Sequence, residues 1–279
     1  MTPKNIIIKI MVDNKANAGL MKEHGYSTWI EVFGQRILFD TGQGKALIHN
    51  SAALECDLSL ADALILSHGH YDHTGGVSYI IKHNPGIKIY CHSHVILSRY
   101  SNWDVAAPQE ISMPAIDKSA LLNLPAEQVC WVTQPLQMSS NIGVSGPIPR
   151  EHPLEDTGGP FFLDLEGIRP DPLEDDMALW IQSDQGLVII TGCCHSGLIN
   201  TTNHIRRISR QDKISAVIGG FHLANASHKR LETTCQALQE WHVDTIIPCH
   251  CTGDEAVAYM QDELGKKVTP GYAGMFLEL

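Results

Sequence analysis

No stretch of this 279-residue chain approaches the ~20 consecutive apolar residues of a membrane span. That excludes an integral helical membrane protein. The opening Met1-Thr2-Pro3-Lys4-Asn5 runs straight into Ile6-Ile7-Ile8-Lys9-Ile10, too short for a signal-peptide core and without a cleavage site. Basic charge is scarce. The chain has 20 Lys and Arg against 31 Asp and Glu, a net charge of −11, and it has no basic run. A nucleic-acid partner held by charge is therefore not expected, although a local basic pocket for a small anion remains open. Eight cysteines are present, but their spacing forms no disulfide framework, and a chain this long does not need one. Reduced thiols and a cytoplasmic location are the expectation. The phosphate-binding loop and the dinucleotide glycine fingerprint are also missing. Gly192-Cys193-Cys194-His195-Ser196-Gly197 lacks the Gly-x-Ser-x-Gly form of a nucleophile elbow.

What the chain does have is Ser67-His68-Gly69-His70-Tyr71-Asp72-His73-Thr74-Gly75-Gly76. Three imidazoles and one carboxylate lie within six residues, directly after the apolar run Ala63-Leu64-Ile65-Leu66, which reads as a buried strand. Gly69 permits a sharp turn past the strand end. Such a turn can direct His68 and His70 at one ion and Asp72 and His73 at a second. Imidazole nitrogens with one carboxylate suit zinc, iron or manganese. Tyr71 is expected to pack outside the site.

Hydrophobic residues make up 43% of the chain, enough for a sizeable core in one domain spanning 1–279. Strands are predicted over Ile6–Val12, Tyr26–Phe33, Gln35–Phe39, Ala63–Leu66 and Ile87–Cys91. Further short strands are predicted over 129–133, 141–146 and 161–165. Helices are predicted over Gly44–Asn50 and Gly76–His83. Between Ser93 and Pro125 the pattern weakens and prolines interrupt it, so the stretch at about 93–125 reads as a lid or insertion over the site or as an ordinary surface excursion. The second half repeats the first in outline. Trp29–Gly42 resembles Trp180–Gly192, Ala63–His68 parallels Val217–His222, and Lys88–His92 parallels Ile246–His250. A duplicated unit of this kind packs two sheets face to face with helices outside, and its histidines gather at one sheet edge.

His68, His70, Asp72 and His73 match HxHxDH, the metal signature of the metallo-β-lactamase superfamily. Asp40-Thr41-Gly42, Gly192-Cys193-Cys194-His195, Gly219-Gly220-Phe221-His222 and Pro248-Cys249-His250-Cys251-Thr252-Gly253 extend the likeness over nearly the whole chain. In this order they resemble the branch named for dihydropteroate-synthase-like proteins and 7,8-dihydropterin-6-yl-methyl-4-(β-D-ribofuranosyl)aminobenzene 5'-phosphate synthases. The resemblance implies an α/β fold, a four-layered αβ/βα sandwich with its metal site at the edge of two packed sheets. It implies two divalent ions, zinc foremost with iron or manganese as alternatives, and His250 as a late ligand. The sequence also departs from the superfamily pattern. The usual histidine before the second hairpin is replaced by Glu174-Asp175-Asp176, and the usual bridging aspartate after it by Gly192-Cys193-Cys194-His195. His195 is therefore expected to supply the missing ligand. Cys193 or Cys194 could bridge as a thiolate, but a buried structural thiol is the default. Cys249 and Cys251 are expected to alternate away from His250.

His222 can ligate, donate a proton, contact substrate or be structural, and the reading adopted pairs it with Asp72 in catalysis. Asp40 can orient a ligating imidazole through its second N–H. Asp176 can do the same or bind substrate. Arg150 is either a phosphate clamp or a surface ion pair, and His24 either reaches the mouth of the site or is an exposed loop residue. The first functional expectation is hydrolysis of a small ester, foremost a phosphoester, by metal-activated water. The second is the transferase that joins a dihydropterin to a ribofuranosyl-aminobenzene phosphate. A non-catalytic metal sensor is the third, and the nearly full ligand set argues against it.

Overall fold

The computed structural model describes residues 6–103 and 108–279. Its first half runs β1 (Ile7–Val12), β2 (Ser27–Val32), β3 (Gln35–Phe39), α1 (Lys45–Ala53), β4 (Ala63–Ile65), α2 (Tyr71–Thr74), α3 (Val77–His83) and β5 (Lys88–Cys91). A middle section follows with β6 (Tyr100–Ser101), β7 (Gln109–Glu110), α4 (Ala115–Leu122), β8 (Val129–Trp131), β9 (Leu136–Gln137), β10 (Ile142–Val144) and β11 (Phe161–Phe162). The second half runs β12 (Ala178–Ser183), β13 (Gly186–Thr191), α5 (Leu198–Ser209), β14 (Ile214–Gly220), α6 (His228–Glu240), β15 (Thr245–Cys249), α7 (Asp254–Leu264) and β16 (Phe276–Glu278).

One sheet has the order β16-β1-β2-β3-β4-β5-β8 and the other β15-β14-β13-β12-β10-β9. Period-two alternation explains why they stack. Ile30, Ile37 and Phe39 of the first sheet meet Leu179, Ile181, Val188, Ile190 and Ile218 of the second in a shared core. The intervening residues face outward. Trp29 and Leu38 pack with Leu47, Val77 and Ile80 of α1 and α3, and Leu187, Ile189 and Val217 pack with Ile205, Leu238 and Met260 of α5, α6 and α7. The result is the expected α/β arrangement of four layers, αβ/βα.

The predicted internal repeat appears in the topology. An antiparallel hairpin, β2–β3, leads into parallel β4 and β5, and the hairpin β12–β13 leads into parallel β14 and β15. Turns after the carboxyl ends of parallel strands lie at one edge, where open sheets place their ligand crevices. Asp40, His68, Cys193, His222 and His250 all sit on such turns. His92 follows β5 but turns aside, its ring 4.7 Å from that of His94.

The weakly patterned stretch 93–125 carries β6, β7 and the helix α4, which sequence pattern did not predict. β6 pairs with both β7 and β11 in a small third sheet. Residues 104–107 of that stretch, like the N-terminal Met1–Asn5, lie outside the described residues. Among the described residues no helix is long and apolar enough to cross a membrane.

Candidate metal centre

The turn after β4 is built from behind by Asp40. Its carboxylate accepts hydrogen bonds from Ser67 N (2.7 Å), Ser67 Oγ (2.7 Å) and His73 Nδ1 (2.7 Å), all fully buried. Because the Ser67 hydroxyl gives its hydrogen to Asp40, it accepts one from His68 Nδ1 at 2.9 Å. One carboxylate thereby sets the tautomer of two imidazoles and leaves the Nε2 lone pairs of His68 and His73 facing inward. The sequence reading gave Asp40 one imidazole to orient; the structure gives it two. Asp40→Asn removes the charge behind both, so metal affinity is expected to fall ~10–100-fold, read by competition with a chelating indicator.

The chain bends at Gly69, as expected, but without entering the left-handed region. A Cβ there would collide with the Val95 carbonyl and the Arg99 guanidinium. Gly69 N donates to Asp175 Oδ2 (2.8 Å), and Arg99, completely buried, bonds both oxygens of Asp175 (2.6 and 2.7 Å) and Asp171 Oδ2 (2.7 Å). This buried triad holds the His68–His70 turn against the 93–125 stretch.

Two groups of ligand atoms result. His68, His70 and His195 form one, with all three side chains buried and their ligand atoms within 4.8 Å of each other. His68 Nε2 and His70 Nδ1 stand 3.0 Å apart, and His70 Nε2 and His195 Nε2 are buried without a hydrogen-bond partner among the described residues. His195 Nδ1 donates to the Thr157 carbonyl at 2.8 Å, which leaves its Nε2 as an acceptor. Burial, reinforced by the neighbouring imidazoles, holds His68 and His195 well below the usual histidine range, and burial with Arg99 does the same for His70. Neutral imidazoles with inward lone pairs, those on His70 and His195 Nε2 meeting no donor among the described residues, are the electronic condition for binding a cation.

Asp72 centres the second group. Its Oδ2 lies 3.2 Å from His250 Nε2, 3.3 Å from His24 Nε2 and 3.7 Å from His73 Nε2. Burial alone would raise its pKa, but His73, His250 and His24 outweigh that and hold it well below the carboxylate range. His250 is fixed from outside by Asn14 Oδ1 at 2.9 Å and by Asp13, which accepts its backbone N–H at 2.8 Å. Burial opposes its protonation, but Asp72 and Cys251 push its pKa up to about 9. Cys193 lies between the groups, its Sγ 3.1 Å from His73 Nε2, and it joins ligand sets with His68 and His73, with His195 and His222, and with His250 and Cys251.

The expected histidines and Asp72 thus come together. His222 stands beside them, its ring 4.4 Å from that of His195, and it lines the cavity described below. Asp40, His222 and His250 all have positive φ (58°, 47° and 46°), a costly conformation for residues other than glycine that clusters at functional sites. His24 is 57% exposed yet reaches Asp72.

Four expectations are corrected. Arg150 is not at the cavity. Its guanidinium donates to the backbone carbonyls of His195 (2.5 Å) and Pro172 (2.6 Å), so its donors serve the loops rather than a phosphate. Asp176 lies beneath the same turn, accepts from Ser196 N at 2.7 Å and does not line the cavity. Burial pushes its pKa up to about 6 despite that bond. Tyr71 was expected outside the site but lines the cavity. Cys251 also lines it, because strand alternation stops at Cys249 and residues 250–252 form a 3-10 turn. Cys249 does point into the core between the sheets. Cys194 is removed too, 3.3 Å from Thr201 Oγ1.

Above the ligand groups lies a cavity of about 470 Å³. His70, Asp72, His222 and His250 are part of its lining, and Tyr71, Trp103 and Phe161 give it aromatic walls. Ser101, Trp103, Gln109 and Ile111 come from the 93–125 stretch. Nothing in the sequence pointed to the aromatic walls, since Trp103 stands in an irregular segment and Phe161 in a strand of only two residues.

Two mixed sheets packed face to face, with helices outside and clustered imidazoles at one edge, define an αβ/βα protein with a candidate metal centre at its sheet edge. The family model for the metallo-β-lactamase superfamily matches residues 21–250, and the chain belongs to that superfamily. It is 32% identical to the uncharacterized protein MJ0448 of Methanocaldococcus jannaschii, over 90% of this chain and 92% of that one. It is 30% identical to the 7,8-dihydropterin-6-methyl-4-(beta-D-ribofuranosyl)-aminobenzene-5'-phosphate synthase of the same organism, over 98% and 97%. Among solved structures, Tm1679, described as a metal-dependent hydrolase of the beta-lactamase superfamily, superposes with a TM-score of 0.84 at 30% identity, covering 98% of this chain and 99% of that one.

Proposed function

We propose that this protein is a metal-dependent hydrolase acting on a small phosphorylated ester. One observation carries the reading: buried, partnerless imidazole nitrogens and the Asp72 carboxylate converge on the floor of a cavity sized for a small molecule. His68, His70 and His195 would hold one divalent ion, and Asp72, His73 and His250 the other, with the Cys193 thiol between them; zinc is foremost and iron or manganese suits the same donors. Ions so held supply electrophilic charge at the scissile bond and acidify water. Asp72 orients the attacking water, since its carboxylate faces the cavity. His222, on the cavity wall, gives a proton to the leaving group. Tyr71, Trp103 and Phe161 hold an apolar or flat part of the substrate and exclude bulk water. Eight free thiols suit a reducing compartment, and we place the protein in the cytoplasm.

The transferase reading stays in view for a specific reason. The relative with the synthase name aligns over nearly the full chain, and aromatic walls are what a dihydropterin ring would stack on. In that reaction the dihydropterin is joined to a ribofuranosyl-aminobenzene phosphate as a phosphorylated group leaves.

The test is elemental analysis of gently purified protein, followed by turnover assays. Stoichiometric zinc, iron or manganese is expected, with release of product from generic phosphoesters. Absence of bound metal even after reloading would overturn both enzyme readings. Metal without phosphoester turnover, but with consumption of a dihydropterin pyrophosphate and the aminobenzene ribosyl phosphate, would replace the first reading by the second.

A further inference from the structure

A second cavity of about 320 Å³ adjoins the first, and Trp103 is in the wall of both. Asp156, Thr157, Gly158, Gly159, Asn225 and Arg230 are among its other walls. Arg230 enters from the first turn of α6 and its side chain is only 4% exposed. Asp156, 75% exposed, takes one of its donors, with Oδ1 at 2.5 Å from Nη1. Nε and Nη2 are buried with no hydrogen-bond partner among the described residues. Those two nitrogens share one edge of the guanidinium, the edge whose parallel N–H groups match two oxygens of a phosphate. Native structures rarely leave such buried donors without a ligand or water to meet them. The amino end of α6 adds positive potential, and Asn225 adds an amide.

The loop that forms the common wall ties this cavity to the metal centre. Thr157 accepts from His195, and Gly158 packs so closely under His222 that a Cβ there would overlap the ring. Asp156 Oδ1 accepts from Gly158 N at 2.8 Å while holding Arg230. One short loop therefore has the imidazoles on one side and the Arg230 guanidinium on the other.

We propose that Arg230 is the anchor of a phosphate subsite, which binds a phosphoryl group of the substrate remote from the bond broken at the imidazoles. The inference rests on the small phosphorylated substrate proposed above and narrows it. The substrate carries its phosphate at one end and its reacting bond at the other, and spans Trp103. Arg150, the phosphate-clamp candidate of the sequence, has its donors committed to backbone carbonyls, whereas Arg230 has two with no partner among the described residues.

The experiment is calorimetric titration of inorganic phosphate and of phenylphosphonate, which has no ester bond to hydrolyse, into the metal-loaded full chain, its Arg230→Gln variant and its Asn225→Asp variant. Both ligands should bind at least ~10-fold more weakly to Arg230→Gln, the loss expected for a charge-assisted hydrogen bond, with metal content unchanged. Asn225→Asp, at an exposed position that folding tolerates, should weaken both in the same direction by adding a negative charge to the cavity. It carries the test should Arg230→Gln not fold. Wild-type affinity in the folded variants would overturn the subsite, as would failure of the parent chain to bind phosphate. Arg230-dependent phosphate binding without any ester hydrolysis would uphold the subsite and reject the hydrolase. Ester hydrolysis with Arg230-independent phosphate binding would do the reverse.

Discussion

Replacing His195 by alanine is expected to empty the group formed with His68 and His70 and to abolish turnover, whereas His222→Ala keeps its metal and slows the reaction. The two rings are neighbours, 4.4 Å apart, but their surroundings differ. His195 is completely buried, bonded to the Thr157 carbonyl through Nδ1, and its Nε2 meets no donor. Two histidines alone hold a divalent ion weakly, and a third completes an open tetrahedral set. His222 is only partly buried and lines the cavity, the position of a proton donor. Its removal should therefore cost ~10²–10⁴-fold in rate, the range for a positioned acid. Metal titration beside single-turnover kinetics separates the two. Loss of metal from His222→Ala with retention by His195→Ala would exchange their roles. The thiols give a companion measurement. Cys249→Ser should keep metal, because its sulfur faces the core, whereas Cys193→Ser should weaken binding at both groups.

Arg99→Met is expected to destabilise the molecule strongly. Arg99, Asp171 and Asp175 are buried together, and the arginine is bonded to both carboxylates. Replacing such a triad as a unit by apolar residues can be neutral, but removing one partner leaves buried charge without compensation, at about 3–5 kcal/mol. Here two carboxylates are stranded, and Asp175 also holds Gly69 N. The effect should therefore reach the metal centre as well as the fold. Denaturant melts should show a lower midpoint, and the surviving folded protein should bind metal less tightly. A midpoint equal to that of the parent chain would refute the buttressing role. Asp171→Asn with Asp175→Asn in the Arg99→Met background should recover much of the loss, since it removes the stranded charges.

The amino-acid sequence by itself determined the strands and helices of the first half and, through the repeat, the strands of the second, because each sheet has one face on a shared core and the other under helices. Ile30, Ile37 and Phe39 alternate with Trp29 and Leu38, and that alternation is visible without coordinates. The HxHxDH turn was legible for the same local reason, since its four candidate ligands lie within six residues after one strand. His195 and His250 were legible as histidines on turns after apolar strands. Residues outside such turns were not. That Cys251 lines the cavity while Cys249 faces the core depends on the 3-10 turn at 250–252, where strand alternation no longer applies. Whether Arg150 or Arg230 has free donors depends on loops far apart in sequence. Arg150 meets the carbonyls of His195 and Pro172, while among the described residues the Arg230 guanidinium meets only Asp156. The triad of Arg99 with Asp171 and Asp175 spans more than 70 residues and has no periodicity to announce it. Local pattern records burial and turn geometry, since those act on neighbours along the chain. Hydrogen-bond partners across loops are chosen by close approach in three dimensions, and only the tertiary structure decides them.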